Sequence, residues 1–124
     1  MKVNKPSAVH KKGWGVEEVV YNAKGYCGKL MTLQKDSQCS MHFHAIKEES
    51  FLVLSGKIKF ESIDKFGATK TQILESGDTV HIERFVSHRF KGIEDSQFVE
   101  FSTEDCPSDS YRVAPGDSQK NNNE

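Results

Sequence analysis

No stretch of this 124-residue chain comes near the roughly 20 apolar residues needed to span a bilayer. Charge of one sign is lacking too, since 17 Lys and Arg against 18 Asp and Glu leave a formal net charge of −1. Binding to nucleic acid through phosphate neutralisation calls for a basic excess, so that class is excluded. Cysteine is scarce, with Cys27, Cys39 and Cys106 alone. An odd number without a secretory leader argues against a disulfide framework. The Lys-rich, polar stretch from Met1 to Lys12 has none of the apolar centre of a signal peptide, and cytoplasmic residence is the default expectation. Helical periodicity is nearly absent, and no internal repeat is visible.

Short strand-like segments fill the chain instead. Val16 to Asn22, Tyr26 to Gln34, Cys39 to His44, Ser50 to Leu54 and Lys57 to Ile63 come first. Thr69 to Leu74, Thr79 to Ile82, Ser87 to Lys91 and Gln97 to Ser102 follow, each bounded by Gly, Asp, Ser or Asn. Ile58 and Phe60 alternate with Lys57, Lys59 and Glu61, the pattern of a half-buried strand. One all-β domain, a sandwich or small barrel, accounts for this spacing. Its expected bounds are residues 13–113, with a flexible arm over 1–12 and a disordered tail over 114–124. At the end of the domain, Tyr111 to Val113 can dock as a last short strand.

The sharpest chemistry lies in His42-Phe43-His44. Side chains alternate faces along a strand, so the two imidazoles point the same way. Glu49 lies five residues beyond His44, across a short turn. Imidazole and carboxylate together suit a divalent cation such as Zn, Fe, Mn, Ni or Cu. Cys39 could add a thiolate, but its parity is opposite to that of His42, and a buried, inert thiol is the expected role.

The spacing His42-x-His44-x4-Glu49-x6-Gly56 resembles the first signature of the cupin superfamily. A second signature is similar to Gly77-x5-Glu83-x-Phe85-x2-His88. Three positions depart from the family pattern. Glu83 replaces a proline, Phe85 replaces a glycine, and Asp36 replaces a glycine six residues before His42. Aspartate tolerates left-handed turns better than most residues. The resemblance implies an all-β cupin-type double-stranded β-helix, a jelly-roll barrel. It also implies a metal held by His42, His44, Glu49 and His88, with a divalent transition ion (Zn, Mn, Fe or Ni) as the cofactor. Gly13-Trp14-Gly15 and the Asp109 to Val113 segment add a similarity to single-domain cupins related to the mannose-6-phosphate isomerase cupin domain. A small-molecule ligand, a sugar or sugar phosphate, and a homodimer paired through edge strands are what these likenesses imply. Neither nucleic acid nor membrane is an expected partner.

Other residues leave alternatives open. Trp14 can stack on a ligand or plug the barrel. His81 is expected to face solvent, and Glu48 to point away from the metal side. Lys29, Arg84, Arg89 and Arg112 are cations able to meet a hydroxyl or phosphate, although strand cations are usually solvated. Glu83 and Glu100 are candidate acid–base groups. Three functions are compatible with such a site: a metal-dependent sugar (phosphate) isomerase or epimerase, a non-catalytic carbohydrate- or metabolite-binding module, and an Fe(II)-dependent dioxygenase.

Overall fold

The computed structural model describes residues 1–120. Eleven strands run as β1 (Ala8–Lys12), β2 (Gly15–Ala23), β3 (Tyr26–Leu33), β4 (Met41–Phe43), β5 (Glu49–Ser55) and β6 (Lys57–Ile63). They continue as β7 (Thr69–Glu75), β8 (Thr79–Ile82), β9 (Ser87–Gly92), β10 (Ser96–Ser102) and β11 (Tyr111–Ala114), followed by the single turn α1 (Asp117–Lys120). All named pairings are antiparallel, in a six-stranded sheet β1-β2-β3-β10-β5-β8 and a five-stranded sheet β11-β4-β9-β6-β7. The chain alternates between the two sheets, which is the jelly-roll arrangement expected from the sequence.

Period-two patterning decides what lies between the sheets. On β5, Glu49, Phe51 and Val53 are buried while Ser50 and Leu52 are half-buried. On β3 the buried set is Cys27, Lys29, Met31 and Leu33, and on β10 it is Ser96, Phe98 and Glu100. Phe51, Phe90 and Phe98 meet edge to face, with centroids 4.7–6.1 Å apart. They join Val53, Ile58, Phe60 and Leu74 in an apolar half of the interior. Each such side chain contributes about 1.5–3 kcal/mol by leaving water. In the other half the inward positions are polar, and there a cavity remains.

Turns hold the register. Gly56, between β5 and β6, has φ 87°, and a Cβ there would lie 2.2 Å from Ser96 Oγ. Asp36 adopts φ 65°, the left-handed conformation that its glycine-like position requires. Phe85 is less expected at φ 68°, a conformation that costs a residue with a Cβ about 1–2 kcal/mol. Its N–H donates to His44 O at 2.8 Å, and its ring lies 6.2 Å from that of Phe43. The turn before His88 thus survives the loss of the Pro-x-Gly pattern.

Two expectations about the chain ends need correction. Residues 8–12, assigned to a flexible arm, form edge strand β1, paired with β2 from Ala8↔Val19 to Lys12↔Gly15. Its side chains are mostly exposed, so main-chain bonding holds it, and its lysines suit an edge that must not recruit another strand. The segment after 113, assigned to a disordered tail, is docked through Lys120. Gln38 N–H donates to Asp117 Oδ2 at 2.8 Å, and Gly13 N–H donates to Ser118 Oγ at 2.9 Å. Polar caps and close backbone approach do the anchoring, which a search for apolar surface overlooks. The remainder of the assigned tail, residues 121–124, lies outside the described residues.

Gly116 tests that docking. A Cβ on it would sit 2.2 Å from the Cys39 carbonyl carbon, so Gly116→Ala must push the segment off the barrel. A loss of about 1–3 kcal/mol is expected, lowering the melting temperature by several degrees in calorimetry. An unchanged melting temperature would show that residues 115–120 do not pack there.

Candidate metal centre

Three neighbouring positions build the site. His42 on β4 and His44, one residue beyond its end, both turn into the same cluster, and His42 pairs directly with His88 on β9. Each imidazole is oriented by a main-chain carbonyl: Nδ1 of His42 lies 2.8 Å from Ser40 O, that of His44 2.6 Å from Asp109 O, and that of His88 2.9 Å from Val86 O. A carbonyl can only accept, so each Nδ1 carries the proton and each Nε2 keeps its lone pair. Backbone acceptors of this kind fix the tautomer of metal-binding histidines. One ligand atom from each ring lies within 4.8 Å of the others, a grouping that can hold a metal ion.

Glu49 enters from the facing sheet. Its Oε1 is 2.9 Å from His88 Nε2 and its Oε2 is 3.6 Å from His44 Nε2. Yet Glu49 Oε2 and His88 Nε2 are buried and make no hydrogen bond, although Lys47 Nζ forms an ion pair with that oxygen at 3.2 Å. A lone pair and a carboxylate this close repel unless a proton or a cation lies between them. These atoms fit a divalent ion, and His42, His44, Glu49 and His88 would hold it. Glu48 turns outward to His81 at 2.8 Å and Arg84 at 2.7 Å, on the exposed side, as the spacing to Gly56 requires.

Electrostatics keep the donors ready. Burial, then the neighbouring His88, pushes His42 down to about 3, and burial also lowers His44. Both are therefore neutral near pH 7, the form that binds metal. Burial would raise the Glu49 carboxyl, but His88 when it carries a second proton, the Lys47 ammonium and a protonated His44 outweigh it and hold the group below the ordinary carboxylate range. Cys39 is not in the cluster. It precedes the regular part of β4, so strand parity does not govern it, and its Sγ accepts from Phe90 N–H at 3.4 Å. Burial pushes that thiol up to about 12, which leaves it un-ionised.

A cavity of about 450 Å³ opens beside the histidines. One wall is apolar, with Trp14, Met31, Phe51 and Phe90; Trp14 is buried and meets Phe90 edge-on at 5.5 Å. The other wall is a charge network that sequence reasoning missed. Lys47, 5% exposed, places Nζ 3.2 Å from Glu49, 3.1 Å from Glu100 and 2.9 Å from Asp105. Lys29, also buried, bridges Glu17 at 2.9 Å and Asp105 at 3.1 Å. Burial and Glu49 raise the Glu100 carboxyl, although both lysines oppose this. Signals were present, since Lys47 shares the parity of Glu49, Lys29 that of Met31, and Glu100 that of Phe98. Asp109 had no such signal. Its carboxylate accepts the N–H groups of Ala45, Ile46 and Lys47 at 2.8–3.1 Å, pinning the turn between His44 and Glu49.

Residues 29–104, more than half of the chain, match the family described as the cupin domain. No curated protein matches the chain. Among solved structures, a tryptophan-to-tyrosine variant of the oxalate decarboxylase from Bacillus subtilis superposes with a TM-score of 0.78 at 13% identity, over 89% of this chain and 32% of the other. The Lactobacillus farciminis oxalate decarboxylase formate complex gives 0.77 at 13%, over 91% and 37%. The capsular polysaccharide assembling protein CapF from Staphylococcus aureus gives 0.75 at 18%, over 86% and 34%. The chain thus spans about a third of each. At such identities the likeness establishes the fold; a further structure of the Bacillus enzyme is described by its Mn(II) centres.

Metal content reports the ligands. His44→Ala is expected to lose most bound metal with its strand signal in circular dichroism intact, and Glu49→Gln to weaken binding at least tenfold more than Glu48→Gln. Equal effects of the two glutamate changes would place the carboxylate ligand elsewhere. Stability should follow pH in the metal-free protein. The unfolded chain protonates His42 and His44 near their ordinary 6.5, whereas the folded chain does so only at lower pH. The unfolded state then binds more protons, so the urea midpoint falls as pH drops from about 6.5 toward 3. Below about pH 4.5 Glu49 adds to the loss, because its carboxylate is stabilised only in the folded state. A midpoint flat between pH 6.5 and 5 would contradict the buried, neutral histidines.

Proposed function

The chain belongs to the cupin domain family, and on that premise we propose a metal-dependent enzyme of sugar or sugar-phosphate isomerisation or epimerisation. The observation that carries the reading is the three-histidine group with buried atoms of His88 and Glu49 that make no hydrogen bond, at the edge of a 450 Å³ cavity. A bound divalent ion supplies polarisation of a carbonyl, which acidifies the adjoining C–H. The likeness to a capsular polysaccharide assembling protein is in keeping with a carbohydrate ligand.

The chain's own residues supply the rest. Glu100 is buried, lines the cavity, and takes the Lys47 ammonium on Oε2 alone. Oε1 takes no hydrogen bond among the described residues, so it is the atom that accepts a proton from one carbon and returns it to the next. Lys47 orients that carboxylate and Glu49 together. Trp14, Met31, Phe51 and Phe90 restrict water, which strengthens the electrostatics of the cavity.

The protein is to be loaded with Mn(II), Zn(II) or Ni(II) and incubated with aldose phosphates in deuterated water. Deuterium incorporation next to the carbonyl is expected, with Glu100→Gln slower by about 10²–10⁴-fold at unchanged metal content. A fully loaded protein that exchanges no deuterium with any aldose or ketose phosphate would leave a metal-dependent binding module in its place.

A further inference from the structure

Most cations that could meet an acidic ligand already have partners. Lys29 is held by Glu17 and Asp105, and Lys47 by three carboxylates. Arg84 bonds Glu48 on the outer surface, while Arg89 donates to the carbonyls of Cys39 and Pro115. Arg112 differs. It lines the same cavity, and among the described residues its side chain makes neither an ion pair nor a hydrogen bond.

Its position is set by the sheet. On β11 it stands directly opposite His42, which stands opposite His88, so the three occupy one rung across β11, β4 and β9. Directly opposed residues share a face with Cβ atoms about 4.5–5.5 Å apart. Tyr111 and Val113, of the other parity, are exposed on the outside, where Tyr111 stacks on Phe43 at 5.1 Å. The guanidinium therefore emerges beside the histidine cluster. Across the cavity the wall is acidic on balance, because Glu17, Glu49, Glu100 and Asp105 outnumber Lys12, Lys29 and Lys47. An anionic group is repelled there and attracted here.

We infer that Arg112 is an anion-binding residue, and that the ligand is a small oxyacid whose carboxylate or phosphate lies against its guanidinium, with a neighbouring oxygen turned toward the histidines. A planar guanidinium offers paired N–H donors matched to either oxyanion. The inference rests on the proposed metal-dependent reading and narrows it to acidic ligands, such as sugar acids or sugar phosphates.

Titration calorimetry of the Mn(II)-loaded protein with glycolate, inorganic phosphate and neutral ethylene glycol tests it. Arg112→Gln is expected to weaken the acid probes roughly 10- to 100-fold, with metal content, melting temperature and the glycol response unchanged. Arg112→Lys should recover part of the affinity, since it keeps the charge but loses the fork. Tighter glycolate would identify a carboxylate, and tighter phosphate a phosphoryl group. Acid binding equal in Arg112→Gln and the parent, or no binding of either acid, overturns the inference. Should no metal load, the proposed enzyme fails, and the same titrations on the metal-free protein decide the role of Arg112 separately. Arg112-dependent binding without deuterium exchange would remove the isomerase alone.

Discussion

Everything polar in the interior turns on the ammonium of Lys47. A charge removed from water costs several kcal/mol unless partners offset it, and here three carboxylates do so at 2.9–3.2 Å. Taken with Lys29, two ammonium groups face Glu17, Glu49, Glu100 and Asp105. Lys12 also reaches Glu17, at 3.9 Å, so with all four acids ionised the network keeps a net negative charge. A cation among the histidines would be favoured by that excess. Raised proton affinity at Glu100 is the alternative response of the same cluster when the cation is missing. Metal binding and the charge state of the cavity wall are one equilibrium on this account.

The second constraint is mechanical. Asp109 holds the turn from Ala45 to Lys47 through its carboxylate and His44 through its main-chain oxygen. One residue thereby fixes a histidine of the centre, the lysine of the network and the approach to Glu49. Segment 103–110, irregular by pattern, is as much a part of the site as the strands are. The left-handed Phe85 plays a smaller part of the same kind, bonding His44 O while the chain turns toward His88.

Much of this was legible in the sequence because alternation carries it. Ten of the strands sit within a residue or two of their expected ranges, and the facing of His42, His44 and Glu49 follows from parity. β1 escaped because an edge strand exposed on nearly every side chain has no alternation to show. Lys29 was weighed as a solvated strand cation and Lys47 was passed over for a related reason. Lysines are usually discounted as solvated, yet each of these is neutralised by partners distant in sequence. Lys29 and Asp105, like His44 and Asp109, are brought together by topology, which no local window contains. The three-histidine group was easier to read, since His42 and His44 stand two residues apart and share a face.

That long-range closure also bears on how the site can assemble. β11 supplies Arg112 and completes the rung beside His42, and Asp109 reaches back 65 residues to orient His44. Without these residues His42, His44, Glu49 and His88 would all be present, but the turn after His44 would have no clamp. Sheets assembled from distant strands fold slowly, because loop closure must precede the contacts that reward it. A centre built on these ligands would therefore lack its orienting contacts until β11 and the segment before it are in place.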